Sequence, residues 1–125
     1  MDGSRNNRKK GDELAERLLD FAAQIIKFVN TLPKTIIGRY IGGQLLRSGT
    51  SPGSNYEEGR GAESRADFIH KLGIVLKELK ESRFWLRLIQ RTALIKSERL
   101  EPLIQECQEL CAIVAKSILT ARGNK

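Results

Sequence analysis

From Leu14 onward, apolar residues recur along the chain at intervals of three and four. Leu14, Leu18, Phe21, Ile25, Phe28 and Leu32 form one stripe, widened by Leu19, Ala22, Ile26 and Val29. That is the spacing of a helix face turned toward a core. Asp12 stands where an N-cap belongs, and Glu13 and Glu16 in the first turn favour the helix dipole. A first helix is therefore predicted over residues 12–32, ending before Pro33 because proline disfavours helical geometry in the residue preceding it.

The second segment, residues 34–59, also has helical spacing, at Ile37, Ile41, Leu45 and Ser48 with Ile36, Tyr40 and Gln44 beside them. Gly38, Gly42, Gly43, Gly49 and Gly53 weaken it, each by up to about 1 kcal/mol relative to alanine. Pro52 is expected to kink or interrupt it, and the pattern leaves open whether the helix breaks near Gly49–Gly53. Such a helix must be held by tertiary packing, its small residues letting a neighbouring backbone come close.

The third segment is the most regular. Ser64 and Asp67 have the form of a capping box, followed by Phe68, Leu72, Val75, Leu79, Ser82, Leu86, Ile89 and Ala93 at alternating spacings of four and three. A helix is predicted over residues 64–93. Ser97 is the expected N-cap of a fourth, over 98–121, with Leu103, Cys107, Leu110 and Val114 as its stripe and Gly123 as its stop. Pro102 either delays that helix or bends its start. Four helices with short connections predict an all-α, antiparallel up-down four-helix bundle over residues 12–122. Residues 1–11 read as a flexible basic tail.

Composition agrees. The chain has 125 residues, 40% hydrophobic and 30% charged, the balance of a folded domain. No apolar run approaches the roughly 20 residues of a membrane span, and the first residues lack the apolar segment of a secretory signal. The two cysteines, Cys107 and Cys111, fall one helical turn apart, a poor geometry for a mutual disulfide, so a reducing, cytoplasmic setting is expected. The net charge is +7. Arg5, Arg8, Lys9 and Lys10 against Asp2 place +3 of it in the first eleven residues. Such an excess suits a polyanionic partner, although solubility alone also accounts for it.

Candidate chemistry is sparse. His70 is the only histidine, so one chain holds no histidine triad or multi-histidine metal site. Cys107 and Cys111 lack the further ligands zinc requires and lie on an apolar stripe, where they read as core residues. Glu57, Glu58, Glu63 and Asp67 form an acidic group without the histidines of a di-metal centre, and the glycine-rich stretch from Arg47 to Gly61 lacks the ending of a P-loop. No enzyme, cofactor or metal is expected. Lys80, Arg83, Arg87 and Arg91, with Lys77 at the edge, form a basic stripe suited to phosphate. The competing reading is a solvated face partly balanced by Glu78 and Glu81. Phe84, Trp85 and Leu88 lie off the main apolar stripe and suggest a surface buried between subunits. Base stacking on Trp85 is the less favoured alternative.

From Gln44 the chain carries a run of motifs: Gln44-Leu45-Leu46-Arg47-Ser48-Gly49-Thr50-Ser51, Asn55-Tyr56-Glu57-Glu58, Ser64 with Asp67-Phe68-Ile69, Lys71-Leu72-Gly73-Ile74, Glu78-Leu79 and Trp85-Leu86. With Leu32-Pro33-Lys34 these resemble the bacterial four-helix bundle family, also called 23S ribosomal RNA intervening-sequence proteins, over roughly Leu14 to Leu119. The resemblance implies a closed homo-oligomeric ring, typically a pentamer, and no enzymatic activity. It also implies kinship with the basic accessory protein of diversity-generating retroelements, which works with a reverse transcriptase and its nucleic acid. Family motif positions fall on Arg47, Ser48, Ser51, Asn55 and Glu58, which at helical spacings would form a buried polar network fixing helix two against helix three. Pro52 and Ser54 depart from the family pattern, which bears on the course of helix two.

The combined expectation is a non-catalytic, basic, oligomeric protein that binds structured RNA or an RNA–DNA intermediate. Contact would run through Lys77, Lys80, Arg83, Arg87 and Arg91, aided by Arg8, Lys9 and Lys10. The alternative is a protein–protein adaptor, such as an accessory subunit of a reverse transcriptase, without direct nucleic-acid contact.

Overall fold

The computed structural model describes residues 2–123. Four helices account for most of them: α1 (Asp2–Val29), α2 (Ile36–Arg60), α3 (Arg65–Thr92) and α4 (Leu100–Ala121). Each packs against the next in sequence, and α4 returns beside α1, while among the described residues the backbones of the diagonal pairs stay apart and share only the core between them. Short links leave no other arrangement than an antiparallel up-down bundle. Leu18, Phe21, Ile25 and Phe28 of α1 meet Leu45, Leu72, Val75, Leu79, Leu86 and Ile89 in the core, and Leu103, Cys107, Leu110 and Val114 close it from α4. Burying each such leucine or phenylalanine contributes roughly 1.5–3 kcal/mol. The flank of the first stripe is different: Leu19 and Ile26 remain exposed.

The first helix begins ten residues before its expected start. Residues 2–11, read from the sequence as a flexible tail, are helical, and Asp12 is an interior residue of α1 rather than its cap. Met1 lies outside the described residues. The extension has no proline, and adding residues to an existing helix is far easier than nucleating one. Where the extension joins the rest of α1, Asp12 accepts from Arg60 Nη2 of α2 at 2.7 Å.

Pro52 does not break α2, which runs unbroken through it with Pro52 buried. Proline leaves the Ser48 carbonyl without its helical donor, but the segment is clamped on both sides. A Cβ at Gly49 would stand 2.8 Å from Ile25, so α1 lies closer here than any side chain allows. At the start of α2, Thr35 Oγ1 accepts from Gly38 N at 3.1 Å, closing the N-cap. Ile37, placed on the core stripe by its spacing, is exposed.

Ser64 caps α3 as expected, its Oγ accepting from Asp67 N at 3.1 Å. The other end closes on Ala93, in the left-handed region at φ 51°. There Leu94 N donates to Ile89 O and Ala93 N to Gln90 O, each at 3.2 Å, the pattern of a Schellman turn. The fourth helix starts late, at Leu100. Ser97 shapes the turn before it, accepting from Arg99 N at 3.1 Å, but is not its cap. Pro102 then falls in the first turn, where its missing N–H has no partner to lose.

Candidate nucleic-acid interface

On the outward side of α3, Lys77, Lys80, Arg87 and Arg91 are exposed and Arg83 is half-buried toward α4. At 3.6 residues per turn, Lys80, Arg87 and Arg91 share one narrow face, and Lys77 to Arg91 spans roughly 21 Å. None of the five makes an ion pair among the described residues.

The acidic residues of the same helix are turned elsewhere. Arg47 of α2 donates through Nη1 to Glu78 Oε1 at 2.9 Å and through Nη2 to Glu81. Trp85 Nε1 also donates to Glu81 Oε2, at 3.1 Å. Arg47, and then Trp85, hold the Glu81 carboxyl below its ordinary range. Glu78 and Glu81 therefore pair first with a cation of α2, and Lys77 of the stripe adds a weaker attraction on Glu81. The stripe is a solvated face, which Glu81 balances only in part, through Lys77.

The five motif positions do not build one buried network. Only Ser48 is fully buried, its Oγ 2.9 Å from Ser82 Oγ, which in turn donates to Glu78 O at 3.0 Å. Arg47 is half-exposed, in the pairs just described. Asn55 turns back within α2 to Ser51, and Glu58 accepts from Lys71 Nζ at 2.6 Å on the surface. Glu58 is exposed because its position in α2 turns it outward at the rim of the α2–α3 seam. Ser82, Glu78, Glu81 and Lys71 complete these contacts. Their signal in the sequence was a serine on the apolar stripe of the third helix.

Phe84 is 57% exposed, and Trp85 and Leu88 are half-buried. Trp85 meets Phe84 edge-on at 5.1 Å and Tyr40 of α2 at 6.1 Å between ring centroids. Tyr40 is 61% exposed and Ile36, one turn before it, 88%. The start of α2 and the end of α3 thus share an apolar patch that sequence reading found only on α3. The i, i+4 spacing of Ile36 and Tyr40 was its signal.

The cysteines lie in the core, with Cys107 Sγ donating to Leu79 O at 3.1 Å. Hydrogen bonding with Cys111 and burial push the Cys107 thiol up, away from thiolate chemistry. His70 is exposed. Among the described residues no three His, Cys, Asp or Glu side chains gather as metal ligands, and no helix is long and apolar enough to cross a membrane. Arg8, Lys9 and Lys10 are exposed, but Arg8 and Lys10 stand beside Arg65 at the start of α3. Arg91 is 26 residues further along, roughly 39 Å. The two basic groups are separate.

Fold and surface define a basic four-helix bundle with an unbalanced cationic helix. The chain belongs to the 23S rRNA-intervening sequence protein family, whose model matches residues 12–116. Among solved structures it is similar to a protein of unknown function from the S23 ribosomal protein family of Bacteroides thetaiotaomicron. The two are 35% identical with a TM-score of 0.78, over 87% of this chain and 97% of that one. No curated protein matches the chain.

Proposed function

We propose that the protein is a non-catalytic, cytoplasmic, self-associating nucleic-acid-binding module that holds structured RNA, or an RNA–DNA intermediate, by its phosphates. The observation that carries this reading is the diversion of Glu78 and Glu81 to Arg47, which leaves Lys77, Lys80, Arg83, Arg87 and Arg91 without a carboxylate partner. Arginine forks on one helix face suit phosphate oxygens and read little sequence. Association of subunits in a closed ring, as a pentamer, multiplies one modest stripe by avidity. The exposed patch of Ile36, Tyr40 and Phe84 is the surface assigned to that association. Two free, buried cysteines suit a reducing compartment.

The test is binding of a labelled structured RNA across a salt series. The double variant Arg87→Glu, Arg91→Glu is expected to flatten the salt dependence by about 0.9 in log–log slope per lost phosphate contact. Phe84→Glu is expected to lower the solution mass while leaving the helices intact. The same patch favours a second reading, an adaptor docked on a protein partner such as a reverse transcriptase. In that case Phe84→Glu abolishes the complex and the stripe variants do not.

A further inference from the structure

At the end of the bundle opposite the apolar patch, all four helices frame an open cavity of about 980 Å³. Arg8 and Lys10 reach it from α1, Arg60 from the last turn of α2, Arg65 from the first residue of α3, and Lys116 from α4. Glu63 is the one carboxylate in its lining among the described residues. Arg60 is fixed, paired with Asp12 at 2.7 Å and lying 5.8 Å over the Tyr56 ring. Arg8, Lys10, Arg65 and Lys116 make no ion pair among the described residues. Counting Glu63 and Asp12 against the five cations leaves +3 concentrated on one concave surface. Such convergence from distant parts of the chain repels itself unless an anion enters.

Tyr56 supplies an independent pointer. Its ring is buried, while its hydroxyl, which makes no hydrogen bond among the described residues, is left at the solvent-accessible surface. The oxygen lies in the cavity wall, 3.3 Å from where a Cβ on Gly11 would stand. Burial pushes the phenol up, so it remains a proton donor at neutral pH. No buried side-chain nitrogen or oxygen among the described residues lacks a partner, so the unbonded Tyr56 hydroxyl meets solvent at the cavity wall and is free to donate to a ligand there. Leu14, Phe68 and Ile113 give the same cavity an apolar wall, and its volume is at the upper end of small-ligand pockets.

We infer that this cavity binds the oligophosphate of a nucleotide, with Arg65, Lys116 and the Tyr56 hydroxyl on phosphate oxygens and the Phe68 side taking the base. The site is distinct from the α3 stripe: Arg65 precedes Arg87 by 22 residues, roughly 33 Å along the helix. One chemistry has two sources here, a free nucleoside triphosphate and the 5′-triphosphate end of an RNA chain.

Calorimetric titration of the full chain with ATP, inorganic tripolyphosphate and a short RNA carrying either a 5′-triphosphate or a 5′-hydroxyl tests it. Saturable binding of ATP or tripolyphosphate is expected. Tyr56→Phe, which keeps the ring, should weaken it about tenfold, the value of a hydrogen bond to a charged group. The surface pair Arg65→Glu, Lys116→Glu should remove it, with helix content checked by circular dichroism, and Arg87→Glu should leave it unchanged. Tighter binding of the triphosphorylated RNA than of ATP, lost in the same pair, assigns the site to an RNA end, and equal binding assigns it to the free nucleotide. No saturable binding of any probe, or binding unaffected by the Arg65, Lys116 pair, overturns the inference.

Discussion

Arg47 donates to Glu78 across the α2–α3 seam at 2.9 Å, and that single pairing decides what the third helix presents to solvent. Glu78 is buried while Arg47 is half-exposed, so removing the arginine leaves a buried carboxylate without its partner. Arg47→Ala should cost about 1–2 kcal/mol, less than a fully buried pair because water screens the guanidinium. Denaturant unfolding measures the loss. The variant should also bind RNA more weakly, since Glu78 and Glu81 then oppose the stripe.

The same pairing has a pH signature. Arg47 lowers the Glu81 carboxyl in the folded state from its ordinary value of 4.5. A depressed folded value stabilises the fold above the unfolded value and is lost as pH falls through the folded one. Wild type and Arg47→Ala should therefore differ in melting temperature at neutral pH and converge below about pH 4. A difference that persists in acid would place the effect in packing instead.

Ser48 and Ser82 are both fully buried, their hydroxyls 2.9 Å apart. Ser48→Ala and Ser82→Ala should each cost about 1 kcal/mol, and the double variant less than their sum, because both single changes remove the same shared bond while the remaining hydroxyl keeps its backbone acceptor, Leu45 O or Glu78 O. A double-mutant cycle by chemical denaturation checks this.

Gly49→Val should cost roughly 1–3 kcal/mol, since even a Cβ would lie 2.8 Å from Ile25 and the two helices must part. Ala93→Gly should do the reverse. Ala93 closes α3 at φ 51°, where an L side chain costs roughly 1–2 kcal/mol, and glycine relieves it. Thermal melts of both variants, taken side by side, test the two claims.

The four helices were legible because each buries a stripe long enough for its period to show. The boundaries were less so. Residues 2–11 read as a tail because nothing local announces a helix, and the Asp12–Arg60 pair that ties α1 to α2 just beyond them joins positions 48 residues apart. Pro52 read as a breaker because propensity is local, while its tolerance depends on α1 and α3 clamping the segment. Among the candidate site residues, the spacing of Lys80, Arg87 and Arg91 gave their shared face. The partner of Glu78 and Glu81 was not legible, since no local pattern marks Arg47 as the residue facing them. The apolar patch was half visible for the same reason: Phe84 and Trp85 signal from one helix, and Tyr40 joins them only once α2 is packed.

The central claim is that the unpartnered cations of α3 hold nucleic acid. Its most direct measurement is the affinity of wild type and of the Arg87→Glu, Arg91→Glu variant for one structured RNA from low to physiological salt, with solution mass recorded in parallel. The account predicts salt-steep binding by an oligomer, reduced in affinity and in slope by the variant while the mass is unchanged. Equal binding by both proteins, or none by wild type near physiological salt, would contradict it.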